Sequence, residues 1–378
     1  MRRKVLGMLL GVAIAAILLI GCSSDDGSEN TDKLIIGKVG ISMPTHSQER
    51  WNRDSAYLTE HFEEVGYETI LTFSDNDAKK QVKDIQDMIA DGVDLLIVNA
   101  IDGTALDEAM EEATEAKVPV ISYDRLILND AVSYYVSFDN YMIGKLQGEF
   151  IADNLELKNA AGKVYNMEIT SGDTADNNAK YFYNGAMDVL KPYIKAGTLK
   201  VVSGQTDFLS TATEQWDLGT AYQRAQNILS SYYTDGTQLD AWLCSSDTVA
   251  LGVEYAITSG YTGSNTILIT GQDGDEANLK NIVDGIQTMT VYKNASDEAV
   301  VTLSLAQSIL EGREIDASLT KDLEIECRYD TKSYKTSDGK RCSSFLLIPK
   351  VITKDNLQDL VDSGLYKRDT DGYLYAVE

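Results

Sequence analysis

Histidine is nearly absent, with only His46 and His61 in 378 residues, and no Gly-x-Ser-x-Gly run or metal-spaced motif appears. Nucleophile-elbow and metal-assisted chemistries therefore lack their usual side chains, and neither a metal nor a cofactor is expected. Basic residues are scarce, 33 against 59 acidic ones, giving a net charge of −26. Nucleic acid is excluded as the expected partner, because phosphate binding wants a basic surface. The acidity is read as solubility. Cysteine occurs only at positions 22, 244, 327 and 342. The apolar run at 5–20 is too short for a comfortable membrane span.

That run is nevertheless informative. It follows the basic Met1-Arg2-Arg3-Lys4 and ends in Gly21-Cys22, the order of a secretory signal. The small residue before Cys22 resembles the lipobox of bacterial lipoproteins, whose cysteine is lipidated after cleavage. We therefore expect a signal peptide over 1–21 and a lipidated Cys22 heading a flexible, polar tether over 22–33. The alternative is an ordinary signal peptide with an incidental cysteine. Cys327 and Cys342 flank a polar loop whose turn signal is Ser337-Asp338-Gly339-Lys340. A disulfide closing this loop is expected outside the cytoplasm, two free thiols being the alternative. Closing about 15 residues would contribute about 3 kcal/mol in the chain-entropy picture. Cys244 lies in an apolar strand and reads as a buried thiol.

Between 34 and 140, apolar runs alternate with helical periodicity and no hairpin intervenes. Strands are expected at 34–43, 68–73, 93–99, 118–123 and 132–138, with helices at 49–65, after 77 and at 103–117. After a helix at 141–155 the alternation restarts, with strands at 163–170, 199–204, 239–245, 266–270 and 287–292. Helices are expected at 177–196, 214–233, 248–259, 276–285 and 294–311. The fold class is α/β, with two Rossmann-like lobes of parallel sheet facing each other across a cleft.

Polar clusters recur just beyond strand ends, where open α/β sheets bind ligands. They include Arg50-Trp51, Asp124-Arg125, Asp139-Asn140, 173–180, Ser246-Asp247, Gln272-Asp273 and Lys293. Carboxylates accept hydrogen bonds from hydroxyls, while Arg and Lys donate without offering a competing acceptor. Charge-assisted bonds of this kind are worth about 1.5–3 kcal/mol each. Trp51 and Trp216 are candidates for an aromatic wall, ordinary core being the other reading, more so for Trp216. Any single Asp or Asn here could equally cap a helix. The fragments 75–77 and 369–372 lack full calcium-loop spacing and read as caps and turns. Recurrence at equivalent topological places points to a carbohydrate pocket.

At these same residues the chain resembles the monosaccharide-binding lipoproteins of bacterial ABC transporters, in their xylose-binding and multiple-sugar-binding branches. The blocks that carry the likeness include Glu49-Arg50-Trp51, Tyr123-Asp124-Arg125, Ser137-Phe138-Asp139-Asn140, Asp176-Asn177-Asn178-Ala179, Gly271-Gln272-Asp273 and 288–293. The resemblance implies a type I periplasmic-binding-protein fold that closes on one pyranose of the xylose, glucose or galactose class and delivers it to a permease. It implies that Arg50, Asp124, Arg125, Asp139, Asn178, Asp247 and Lys293 touch sugar hydroxyls and that Trp51 stacks on the ring. Lys180 resembles the xylose branch at its position, and Asp273 completes the expected ligand set. The implied lobes are 34–140 with 294–320 and 141–293 with 345–378, and the hinge crossing with the cysteine-flanked loop is 321–344. Further crossings are implied in 139–157 and at Lys293. A monomer outside the cytoplasm, anchored to the membrane through Cys22, follows.

Other classes remain distinguishable. A sensor presenting sugar to a chemoreceptor or kinase, and a nucleoside- or autoinducer-binding lipoprotein, would share this architecture. A glycosidase would need only a carboxylate pair. A transcriptional regulator would need a helix-turn-helix where the secretion signal stands.

Overall fold

The computed structural model describes residues 35–160 and 162–377. The signal peptide, Cys22 and the tether lie outside the described residues. The first lobe runs β1 (Gly37–Met43), α1 (Glu49–Glu64), β2 (Tyr67–Phe73), α2 (Ala78–Ala90), β3 (Leu95–Val98), α3 (Asp107–Ala116), β4 (Val120–Tyr123) and β5 (Val132–Phe138). β3 and β4 are buried along their whole length, as parallel strands covered on both faces must be. Asp77 caps α2 by accepting from the backbone N–H groups of Lys79 and Lys80. The 75–77 fragment thus includes a cap.

The chain then crosses to α4 (Asn140–Asn154), β6 (Tyr165–Thr170), α5 (Asn177–Ala196), β7 (Leu199–Val201), α6 (Phe208–Thr211), α7 (Leu218–Tyr232), β8 (Ala241–Cys244), α8 (Asp247–Gly260), β9 (Leu268–Ile269), α9 (Glu276–Asp284) and β10 (Thr290–Tyr292). It returns through α10 (Ala295–Leu310), β11 (Cys327–Asp330) and β12 (Ser344–Leu347). It ends with β13 (Lys350–Ile352), α11 (Gln358–Asp362), β14 (Tyr366–Arg368) and β15 (Leu374–Ala376). Among the described residues, the two large sheets have the orders β11-β12-β5-β4-β3-β1-β2 and β7-β6-β8-β9, beside two-stranded pairs β10-β13 and β14-β15. Both large sheets are parallel apart from the antiparallel β11–β12 edge.

Three expectations need correction. The helix foreseen over 214–233 is broken, because Gln215 and Trp216 take positive φ values of 56° and 55° and α7 starts only after Asp217, its cap. Residues 345–347, expected in the second lobe, continue the first sheet, because β12 pairs in parallel with β5. The chain passes to the second lobe only afterwards, where β13 pairs with β10. The Cys327–Cys342 disulfide is absent, and both cysteines are free. The hairpin register sets Cys327 opposite Leu347, five positions beyond Cys342. That separates them by about 16 Å at about 3.3 Å per residue, whereas a disulfide needs Cα atoms about 4.4–6.8 Å apart. Burial pushes both thiols up to about 12.

Close helix packing fixes the start of the second lobe. A Cβ on Gly144 of α4 would lie 1.8 Å from the carbonyl oxygen of Phe182 on α5. Only glycine allows the two backbones to approach so closely, and the approach sets where α5 presents Asn178 and Phe182. Elsewhere in this lobe, burial pushes the carboxyl of Glu254 up to about 8, against a hydrogen bond from Asn281. Between about pH 4.5 and 8 the folded chain therefore holds a proton that the unfolded chain has lost. Stability should fall there as pH rises, by up to about 1.4 kcal/mol per unit from this group. Glu254→Gln should flatten that slope in urea unfolding series run across pH.

Candidate functional site

The C-terminal ends of β1 and β4 meet those of β6, β8 and β9 around a cavity lined by residues of both lobes. From the first lobe come Gln48, Arg50, Trp51, Asp124 and Arg125. From the second come Asp176, Phe182, Trp216, Ser246, Thr248, Gln272, Asp273 and Asp275. Lys293 lines it from the crossing between β10 and α10.

Arg50 is 2% exposed and gathers four carboxylates. It lies 2.7 Å from Asp124, 2.9 Å from Glu298 of α10, 3.3 Å from Asp54 and 3.3 Å from Asp273 across the cleft. Lys293 reaches Asp273 at 2.8 Å and Asp124 at 3.6 Å. Burial raises the carboxyl of Asp124, but Arg50, Lys293 and Arg125 outweigh it, holding Asp124 below the usual range and ionised. Burial also pushes Glu298 well up, against the pull of Arg50.

Asp124 sits at φ 53°, a left-handed conformation unusual for a non-glycine residue. Its carbonyl accepts from Tyr135 Oη, from Ser137 Oγ at 2.9 Å and from Asn178 Nδ2 at 2.7 Å, which holds the strained turn in place. Arg125 meets Asp176, the cap of α5, through Nε at 3.1 Å. Burial raises the Asp176 carboxyl, and Arg125 offsets part of that rise. Both guanidinium groups lie near the Trp51 ring, with Arg50 and Arg125 centres at 4.8 and 5.1 Å from its centroid. The Trp51 indole N–H donates to Gln48 at 2.5 Å.

The second wall is Trp216, edge-on to Phe182 at 6.2 Å. Two buried lining atoms, Trp216 Nε1 and Gln272 Oε1, have neither a hydrogen-bond nor an ion-pair partner. Buried polar atoms are seldom left unpaired, so one donor and one acceptor at a cavity wall mark where a ligand can bond.

The structure thus brings Arg50, Trp51, Asp124, Arg125, Asp273 and Lys293 together. Asn178 and Asp247 lie one layer behind. Asn178 spends its amide on Asp124 and on Tyr135. Asp247, fully buried, accepts from the backbone N–H groups of Gly274 and Asp275 and from Gln287 and Thr290, so it shapes the 273–275 loop. Burial pushes its carboxyl well up, the Gln287 bond opposes this, and the Asp273 charge adds to the rise. Two expected contacts are not brought in. Asp139 caps α4 and pairs with Arg328 at 2.7 Å, while Lys180 is exposed. Asp176 and Gln272 fell within the expected strand-end clusters but were not named as ligand contacts, and Asp275 and Glu298 were not singled out from the sequence at all. Glu298 did leave a signal, as the lone acid on the apolar stripe of Ala295, Ala299, Thr302 and Leu305.

The periplasmic binding protein domain family matches residues 39–314. The chain is 38% identical to the multiple sugar-binding periplasmic receptor ChvE of Rhizobium radiobacter over 338 residues, covering 88% of this chain and 92% of that one. It is 30% identical to the D-xylose-binding periplasmic protein of Escherichia coli (strain K12), covering 87% and 91%. A crystal structure of an ABC transporter solute binding protein from Clostridium phytofermentans, with bound β-D-glucose, superposes with a TM-score of 0.82. It shares 42% identity and covers 87% of this chain and 98% of that one.

Proposed function

The chain belongs to the periplasmic binding protein family, and from that membership we propose that it captures one monosaccharide between its lobes and delivers it to an ABC permease. The observation that carries the reading is the inter-lobe cavity, in which every cation is paired with carboxylates while Trp216 Nε1 and Gln272 Oε1 are unpaired. Neutral hydroxyls, each donor and acceptor, suit such a lining better than a charged ligand does. The indoles of Trp51 and Trp216 offer faces to the apolar sides of a sugar ring. The names of the relatives favour glucose and xylose as first candidates. Binding energy would draw the lobes together, and the permease would distinguish closed from open.

On this reading the protein is a binder rather than an enzyme. It works outside the cytoplasm as a monomer, held to the membrane by lipid on Cys22. Calorimetry across pentoses, hexoses and nucleosides tests it. Tight binding of a pentose or hexose is expected, with labelled glycosides returned intact. Preference for a nucleoside, or hydrolysis of the glycosides, would overturn the reading.

One residue behind the wall gives a sharp check. A Cβ on Gly172 would fall 1.9 Å from Cη2 of Trp216. Gly172→Ala should therefore displace the indole and weaken sugar binding about tenfold, within the about 1–3 kcal/mol usual for overpacking.

A further inference from the structure

Two residues of α1 that do not line the cavity reach across to the other lobe. Both carboxylate oxygens of Glu49 accept from the backbone N–H of Glu276, at 3.1 and 3.2 Å. Glu276 opens α9, and the N-cap residue of that helix, Asp275, makes no side-chain capping bond. A helix start carries unpaired N–H groups and partial positive charge, so a carboxylate there is stabilising. Here the opposite lobe supplies it, from 227 residues away in the chain. Arg53, one turn along α1, lies 3.3 Å from Glu49 and donates Nη2 to the carbonyl oxygen of Asp273 at 3.0 Å. It also stands 3.9 Å from Asp275.

The two sides of this contact belong to different lobes. α1 packs on α10 and on β1 and β2. The 273–276 stretch is held in the second lobe by Asp247 and by the backbone bond from Asp273 to Val291. The chain crosses between lobes after β5, at Lys293 and after β12, and none of these crossings includes Glu49 or Arg53. The contact therefore forms only when the lobes come together. It also shares its backbone with the ligand site. Arg50 and Trp51 lie between Glu49 and Arg53, and Asp273 lends its carboxylate to the cavity and its carbonyl to Arg53.

We propose that Glu49 and Arg53 are positioning residues that latch the closed protein and so set how tightly the sugar is held without touching it. The proposal rests on reading the cavity as a monosaccharide site. Apparent affinity scales with the fraction of molecules in the binding-competent form. Removing a contact made only in the closed form lowers that fraction, speeds reopening and leaves the open form as stable as before.

The test compares full-length protein with Glu49→Ala, Arg53→Met and Glu49→Gln, using D-glucose and D-xylose. Glu49→Ala and Arg53→Met should each weaken binding about tenfold in calorimetry, with a matching rise in the dissociation rate by stopped flow. Their melting temperatures without sugar should equal that of the wild type. Glu49→Gln keeps an acceptor for the Glu276 N–H and should recover part of the loss. Unchanged affinity and dissociation in Glu49→Ala, or a sugar-free melting temperature that falls with the affinity, would overturn the latch while the pocket reading stands. A wild type that binds neither sugar nor any other monosaccharide would overturn the pocket reading, and the latch with it.

Discussion

Arg50→Met is expected to destabilise the sugar-free protein by about 3–5 kcal/mol, because it leaves buried carboxylates without their shared cation. Asp54, Asp124 and Glu298 in the first lobe, and Asp273 in the second, all lie within 3.3 Å of the Arg50 guanidinium. Asp54 and Glu298 are fully buried, so water cannot take over the role of Arg50. Burial already pushes both of these carboxyls upward, with Arg50 opposing it. Without Arg50 they should rise further. Groups raised in the folded state cost stability as pH climbs above their unfolded values, so the variant should recover as pH falls toward about 4. Urea unfolding at several pH values reads both effects. Wild-type stability in Arg50→Met would mean that the cluster is not what holds α1 to α10.

Asp124→Asn is expected to weaken monosaccharide binding at least about 30-fold, or about 2 kcal/mol. Asparagine tolerates the φ of 53° that alanine would resist, so the change isolates the charge from the backbone strain. Among the described residues, Asp124 carries the only acidic side chain within 4 Å of both Arg50 and Lys293 that is anchored to the first sheet, through the bond from its own N–H to the carbonyl of Val136. Unlike Arg50→Met, this variant should unfold nearly as the wild type does, since Arg50 keeps Asp54, Glu298 and Asp273. Calorimetry beside a melting curve separates the two outcomes. Wild-type affinity in Asp124→Asn would remove Asp124 from the ligand set.

Much of this could be read in the chain because buried parallel strands are written as continuous apolar runs, and their last residues are the ones that face a ligand. Asp124-Arg125 after β4 and Gln272-Asp273 after β9 show this directly. Position at a strand end does not reveal whether a side chain is already engaged. Asp139 stands at the end of β5 but is taken up by the start of α4 and by Arg328. Lys180 follows Asn178 by two residues on α5, and residues so spaced on a helix do not share a face, so only one of them could turn inward. Cys327 and Cys342 flank a turn signal, yet hairpin register, which depends on long-range pairing with β5, keeps them apart. Trp216 was legible as a candidate wall but read more readily as core, because the break before α7 depends on positive φ values that no residue type there announces.

The central claim is that one sugar ring lies between the lobes, walled by Trp51 and Trp216 and bonded to Asp124, Arg125, Asp273 and Lys293. A crystal structure grown with saturating D-glucose or D-xylose addresses it most directly. Density for a single ring inside that cavity, with a hydroxyl within hydrogen-bond distance of the Asp124 carboxylate and of the Arg125 guanidinium, is the predicted result. Sugar seated on an outer surface, with the cavity residues still bonded only to one another, would contradict it.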